Sequence, residues 1–89
     1  MTLTELVQVT QRPLKYKTIV DNKISCSFEG SETKAYIGDG FLSGTHGVGQ
    51  TMNEATLDYV QQLRGRVLVF NGKKGERVTF DIPKTLNVG

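Results

Sequence analysis

The segment from Thr51 to Gly65 constrains the fold most, because it carries helix signals at both ends and along one side. Thr51 and Glu54 match the Thr-x-x-Glu capping box, in which a helix start satisfies its own amide groups. Gly65 suits the left-handed position that follows a last helical turn. Apolar and small residues recur at helical spacing between these ends, at Met52, Ala55, Thr56, Tyr59, Val60 and Leu63. The sequence therefore predicts an amphipathic helix from about Met52 to Arg64.

A second Thr-x-x-Glu pattern, formed by Thr2 and Glu5, predicts a short helix that begins at Leu3. Its buried stripe would consist of Leu3, Leu6, Val7 and Thr10. A strand over Leu6–Thr10 is the alternative, because valine and threonine favour strands. We favour the helix, and Pro13 ends either element because it lacks an amide hydrogen.

Alternating apolar residues predict a first hairpin from Leu14–Val20 and Ile24–Phe28. Pairing Val20 with Ile24 keeps the apolar side chains on one face and leaves a three-residue loop. A two-residue loop would place Val20 opposite Lys23 and mix the two faces. The sequence therefore predicts the longer loop.

A second hairpin is predicted near the C-terminal end of the chain. The segment Val67–Phe70 is continuously apolar, as in a strand buried on both faces. The segment Glu76–Ile82 alternates, and matching Val69 with Val78 pairs the two strands. A short strand over Thr33–Ile37 is expected between the hairpins.

These elements predict an α+β fold: an antiparallel sheet of about five strands, two hairpins among them, with one main helix packed on it and a short N-terminal helix. The 89 residues suit a single domain, 1–89, in which Lys84–Gly89 forms a frayed tail after Pro83. In the predicted pairing, Leu68 and Phe70 point away from the main helix and need a cover. The N-terminal segment or a second copy of the chain could supply it, and from this we predict a homodimer.

Charge, apolar content and cysteine count argue against several classes of protein. A formal charge of +2 is slight for a dedicated duplex-DNA binder. No apolar run approaches the roughly 18 residues of a membrane-spanning helix, so no membrane partner is expected. The single cysteine, Cys26, excludes an internal disulfide and suits a reducing compartment. We therefore expect a cytoplasmic protein in which Cys26 is a small core residue.

The glycine-rich stretch Gly38–Thr51 is the main functional signal, because half of the ten glycines fall within it. Such a loop ahead of a helix start can hold an anion, since free amide groups and the positive end of the helix dipole point the same way. The predicted ligand is a phosphate-bearing small molecule, such as a nucleotide, which the protein would sequester without catalysing a reaction. The predicted contacts are Gly44, Thr45, His46, Gly47, Gly49, Gln50 and Thr51, with Phe41, His46 or Tyr36 stacking on a base. Glu54 and Asp58 argue against this reading, because both carboxylates lie within two turns of the helix start and would repel a phosphate.

The same stretch nearly matches a phosphate-binding P-loop. Residues 44–51 fit G-x-x-x-x-G-K-[ST] except that Gln50 replaces the lysine. That lysine reaches the β- and γ-phosphates, so its loss removes most of the case for nucleotide hydrolysis. The chain is also too short for the usual NTPase core.

The sequence does not favour an enzyme. His46 is the only histidine, and Ser43 lies too close to it along the loop to predict a nucleophile–base pair. One histidine and one cysteine do not make a zinc site. No catalytic residue, metal or cofactor is therefore predicted.

Two further binding hypotheses stay open. The first is a protein interaction module or inhibitor, of the phage or host regulator type, that docks through a sheet edge or the glycine loop. The second is single-stranded nucleic-acid binding through Lys15, Tyr16 and Lys17, helped by Lys73 and Lys74. Under the predicted hairpin, Tyr16 faces the core while its two neighbouring lysines face solvent, which favours the interaction hypothesis over this one.

Overall fold

The structure is a computed structural model that describes residues 1–28, 36–37, 43–70 and 78–88. Within these residues two helices, α1 (Leu3–Thr10) and α2 (Met52–Leu63), pack against antiparallel sheets. The strands are β1 (Leu14–Thr18), β2 (Ile24–Phe28), β3 (Tyr36–Ile37), β4 (Ser43–Gly44), β5 (Gly47–Gly49), β6 (Val67–Phe70) and β7 (Val78–Asp81). One sheet has the order β1-β2-β5 and the other β4-β3-β6-β7, so the strands form two sheets. The predicted α+β class with a short N-terminal helix is confirmed.

Helix α1 begins with the predicted capping box. The Glu5 amide donates to the Thr2 hydroxyl, and the Thr2 amide donates to the Glu5 carboxylate, both at 3.2 Å. Leu3, Leu6 and Thr10 are buried along one side. The alternative strand over residues 6–10 is therefore wrong. The helix ends at Thr10, and the next residue, Gln11, has a left-handed φ of 56° two residues before Pro13.

The first hairpin forms with a different register from the predicted one. Thr18 pairs with Ile24, whereas the sequence analysis paired Val20 with Ile24. The loop contains a left-handed Asp-Asn pair, Asp21 and Asn22, with φ of 65° and 59°. The Ile19 amide donates to the Lys23 carbonyl at 2.8 Å, and the Lys23 amide donates to the Val20 carbonyl at 3.4 Å. Ile19 and Val20 thus both lie opposite Lys23, as in a β-bulge. The extra residue places Tyr16 opposite Cys26, so the apolar side chains of the two strands share one face, which a two-residue turn without a bulge would not achieve.

The second hairpin is shifted by one residue relative to the prediction. Leu68 pairs with Phe80, and Val69 pairs with Thr79 instead of Val78. The Ile82 amide donates to the Arg66 carbonyl at 2.9 Å and extends the same register past the strands. A shift of one residue exchanges the faces of a strand. Leu68 and Phe70, which share one face of β6, therefore belong to the main core together with Ile82. The prediction that these two side chains point away and need a separate cover is wrong.

The N-terminal helix contributes to the same core. Leu3 and Leu6 of α1 lie in one buried cluster with Leu68 and Phe70. The guanidinium carbon of Arg12 also lies 4.7 Å from the centre of the Phe70 ring. The face from which a homodimer was inferred is therefore internal, and the homodimer stays a prediction without that argument.

The segment after Pro83 is docked, in contrast to the frayed tail expected from the sequence. Leu86 is completely buried in the core cluster. The Leu3 amide donates to the Asn87 carbonyl at 2.7 Å, and the Asn87 amide donates to the Met1 carbonyl at 3.0 Å. The Arg64 side chain also donates to the Leu86 carbonyl at 2.8 Å. Burial of Leu86 and the two backbone hydrogen bonds of Asn87 thus hold the two chain ends side by side.

Neither described helix is long and apolar enough to cross a membrane.

Candidate functional site

The glycine stretch contains a strand, β5, that lies directly on helix α2. A Cβ added to Gly47 would stand 2.1 Å from the Ala55 carbonyl oxygen and 2.5 Å from the Tyr59 amide nitrogen. A Cβ added to Gly49 would stand 2.5 Å from the Ala55 amide nitrogen. Real Cβ atoms do not approach backbone this closely. The two glycines are therefore needed for the strand to reach its own helix, which is a structural reason for their presence.

One side of α2 hydrogen-bonds the outer edge of β5. Glu54, Asp58 and Gln62 recur every four residues and so share a face of the helix. The Gln50 amide donates to Glu54 at 2.8 Å, and the Val48 amide donates to Asp58 at 2.9 Å.

The third member of this row, Gln62, continues the pattern. Its side-chain amide donates to the His46 carbonyl and to the Asp58 carboxylate, each at 2.9 Å. The Thr45 hydroxyl donates to the Gln62 side-chain oxygen. The helix thus supplies the hydrogen-bond partners that a neighbouring strand would otherwise provide.

These contacts place carboxylates where the sequence predicted a phosphate. The amides of Val48 and Gln50 already have anionic acceptors. The Glu54 amide donates to the Thr51 hydroxyl at 3.1 Å, as a cap requires. The Glu54 carboxylate binds Gln50 instead of Thr51, which corrects the second half of the predicted capping box. Carboxylates at this position repel a phosphate, and its binding there stays a prediction.

The remaining predicted contacts are spread over the fold. His46 is exposed, and Gln50 is exposed with its amide engaged as described. Gly44 and Tyr36 are paired across β4 and β3, and the structure gives their backbone pairing only. Phe41 lies outside the described residues, as do Lys73 and Lys74. The structure therefore brings Thr45, His46 and Gln50 to the edge that α2 covers. Of the three predicted stacking residues, His46 is the one whose side chain the structure describes.

We expect Asp58→Ala to lower the free energy of unfolding by about 2 kcal/mol, because it leaves the half-buried Val48 amide without its acceptor. Urea unfolding measures the change, and amide exchange at Val48 should accelerate. Gln61→Ala, at an exposed position of the same helix, is the matched control. Equal effects of the two substitutions would contradict a specific role of Asp58.

A groove that the sequence analysis missed lies between α1, β1 and the start of α2. Its volume is about 520 Å³. Its lining residues are Leu3, Thr4, Val7, Gln8, Leu14, Tyr16, Thr56 and Val88. Most of these side chains are apolar, so water in the groove has few partners. The buried stripe of α1 and the alternation in β1 were both visible in the sequence, but the gap between the elements was not.

A hydrogen bond ties the β1 wall of the groove to α2. The Tyr16 and Thr56 hydroxyl oxygens are 2.6 Å apart. Thr56 donates its proton to the Met52 carbonyl at 2.7 Å, so Tyr16 is the donor to Thr56. Burial raises the pKa of Tyr16, which keeps the phenol protonated as this bond requires.

The groove runs beside the outer edge of β1. β1 is the terminal strand of its sheet, and no described strand pairs with its second edge. The Ile19 amide donates to the carbonyl of Lys23, the residue before β2, and so points toward that strand. The alternation of an antiparallel ladder then directs the backbone groups of Leu14, Tyr16 and Thr18 outward. The same three residues place their side chains on the core side of the sheet. An edge that pairs with no strand among the described residues therefore borders an apolar groove.

Comparisons with protein-family models, curated proteins and solved structures found no match to this chain.

Cys26 is a core residue, as the sequence predicted, since its side chain is fully buried beneath α2. Burial raises the pKa of its thiol, which disfavours the thiolate needed of a nucleophile.

Proposed function

We propose that this protein is a non-enzymatic interaction protein that binds an extended segment of a partner protein along β1. The observation that carries the proposal is the combination of a strand edge that no described strand occupies with an apolar groove beside it. A strand added at such an edge gains main-chain hydrogen bonds, and its alternate side chains enter the neighbouring pocket. The edge of β1 supplies hydrogen bonds to the main chain of the partner, and the groove supplies a pocket for its side chains.

The dimensions suit such a partner segment. The groove volume falls within the range of about 300–1,000 Å³ that is usual for ligand sites. β1 has five residues, enough to pair with a strand of ordinary length. Two of the residues with outward backbone groups, Leu14 and Tyr16, also line the groove, so pairing and side-chain insertion coincide at these two positions.

The other binding hypotheses have weaker support. A phosphate-bearing ligand at residues 44–51 would have to approach the Glu54 and Asp58 carboxylates, which already hold the local amides. Single-stranded nucleic acid would need Tyr16 to stack outside the fold, whereas its hydroxyl is bonded to Thr56 next to the groove. Both stay predictions and rank below partner binding.

A tryptophan in the groove should block binding. We expect peptides selected from a random display library on the wild-type protein to lose about tenfold in affinity for Gln8→Trp, equivalent to about 1.4 kcal/mol. Gln8 lines the groove, and Val9 is its exposed neighbour outside it. Val9→Trp is therefore the matched control and should retain wild-type affinity.

Amide chemical shifts locate the bound peptide. We expect the largest changes at Leu14, Tyr16 and Thr18, because their outward groups would gain new hydrogen bonds. Failure of the library to enrich any peptide, or equal binding to the two tryptophan variants, would overturn the proposal. So would a groove that takes small apolar molecules while no peptide perturbs β1.

A further inference from the structure

We propose that the segment bound at β1 alternates apolar and acidic side chains, with the acidic ones contacting Lys15 and Lys17. This inference rests on the proposed function and names the chemistry of the partner. It follows from the two faces of β1 and from the charges on the outer face.

The two faces of β1 differ sharply in chemistry. Successive side chains of a strand point to opposite faces of the sheet. Leu14 and Tyr16 are half-buried and line the groove, whereas Lys15 and Lys17 between and beyond them are exposed. A strand that pairs with β1 shares these two faces. Its alternate side chains would therefore meet the apolar groove and the lysines in turn.

The lysines have no counter-charge on the adjoining strand. Their partners across the ladder are uncharged: Lys15 pairs with Ser27, and Lys17 pairs with Ser25. The part of the chain that the structure describes supplies no ion-pair partner to either lysine. Opposite charges directly across a sheet attract, and like charges repel. An acidic residue opposite each lysine would thus improve pairing, and a basic one would weaken it.

The lysines also restrict which strands can pair with the edge. Lysines on an edge strand commonly discourage unwanted pairing. Two copies of β1 placed edge to edge would bring lysines of like charge together on one face. An acidic segment escapes this repulsion, so the same residues that oppose self-association would admit the partner.

Three synthetic peptides test the charge pattern directly. Each is a blocked octapeptide with valine at alternate positions, and the intervening positions are all glutamate, all serine or all lysine. Titration followed by the amide shifts of β1 gives each affinity. We expect the glutamate peptide to bind about tenfold more tightly than the lysine peptide, with serine between them. The difference should shrink at about 1 M salt, where the screening length is near 3 Å.

A charge reversal on the protein identifies the residues responsible. Lys17→Glu should remove most of the preference for the glutamate peptide over the serine peptide. Lys84→Glu makes the same change of charge at an exposed position outside β1 and should leave the preference intact. Equal loss in both variants would indicate only an effect of net charge and would overturn the inference.

The outcomes separate this inference from the proposed function. If the serine peptide binds at β1 and the glutamate peptide binds no more tightly, the charge pattern is wrong while partner binding stands. If peptides selected from the library bind at β1 but do not alternate apolar and acidic residues, the charge pattern is likewise wrong and partner binding stands. If no peptide of any kind perturbs β1, both proposals fail.

Discussion

Replacing Gly47 by alanine is expected to lower the free energy of unfolding by about 3 kcal/mol or more, at the upper end of overpacking effects. The added Cβ would stand 2.1 Å from the Ala55 carbonyl oxygen, which is fixed by its helix. Relief requires β5 to move away from α2, and this movement would break the bonds from Val48 to Asp58 and from Gln50 to Glu54. Urea unfolding followed by circular dichroism measures the loss.

The control for this substitution is Gly65→Ala. Gly65 has a φ of +70°, and its added Cβ would meet only the flexible Lys84 side chain, at 3.1 Å. The expected loss is about 1–2 kcal/mol, from the left-handed backbone alone. If Gly47→Ala does not fold, Gly49→Ala provides a second measurement at the same interface. A Gly47→Ala protein as stable as the wild type would contradict the close packing of β5 on α2.

Replacing Leu86 by alanine is expected to lower the free energy of unfolding by about 3 kcal/mol, as is usual for a fully buried leucine. Leu86 is 0% exposed and packs in the cluster that contains Leu3 and Leu6 of α1. The substitution removes the side chain and keeps the carbonyl that accepts from Arg64. The measured loss therefore reports the burial of this segment. Thermal or urea unfolding determines it.

Thr85→Ala is the matched control, because Thr85 is exposed next to Leu86. Surface changes of this kind stay within about 0.5 kcal/mol. If the two variants were equally stable, residues 84–88 would be a frayed tail after all. Amide exchange at Leu3 offers an independent check, because its bond to Asn87 would weaken with the tail.

Local signals in the sequence located the helices. Thr2 with Glu5 and Thr51 with Glu54 are caps whose groups lie within a few residues, so their pairing depends little on the rest of the chain. The strands were also located, but their registers were not. The bulge at Ile19 and Val20 accompanies the left-handed turn at Asp21 and Asn22, and the bond between Ile82 and Arg66 joins residues 16 apart in the sequence. In a strand whose apolar residues alternate, two registers that differ by two residues bury the same face, so the pattern does not choose between them. In a continuous apolar run such as Val67–Phe70, even two registers that differ by one residue fit the pattern equally well.

The candidate site was harder to foresee for the same reason. Glycines indicate that a backbone can approach something closely, but they do not say what. Here Gly47 and Gly49 approach their own helix, and the polar row of Glu54, Asp58 and Gln62 binds the strand edge. The groove beside β1 is a space between elements, so no single motif encodes it. The sequence did contain the alternation of Lys15, Tyr16 and Lys17, and the role proposed for it depends on a strand edge that no described strand occupies.

The pairing of the first and last segments makes the stability of each depend on the other. Thr2 and Asn87 form a parallel bridge, and Leu86 packs in the cluster with Leu3 and Leu6. If α1 lifts off, Leu86 loses cover, and if the last segment detaches, the Leu3 amide loses its acceptor. We therefore expect the two ends to open together, as one cooperative unit of the kind that opens below the free energy of global unfolding. A protease that gains access to one end would gain it to the other, and the α1 wall of the groove would be lost in the same event.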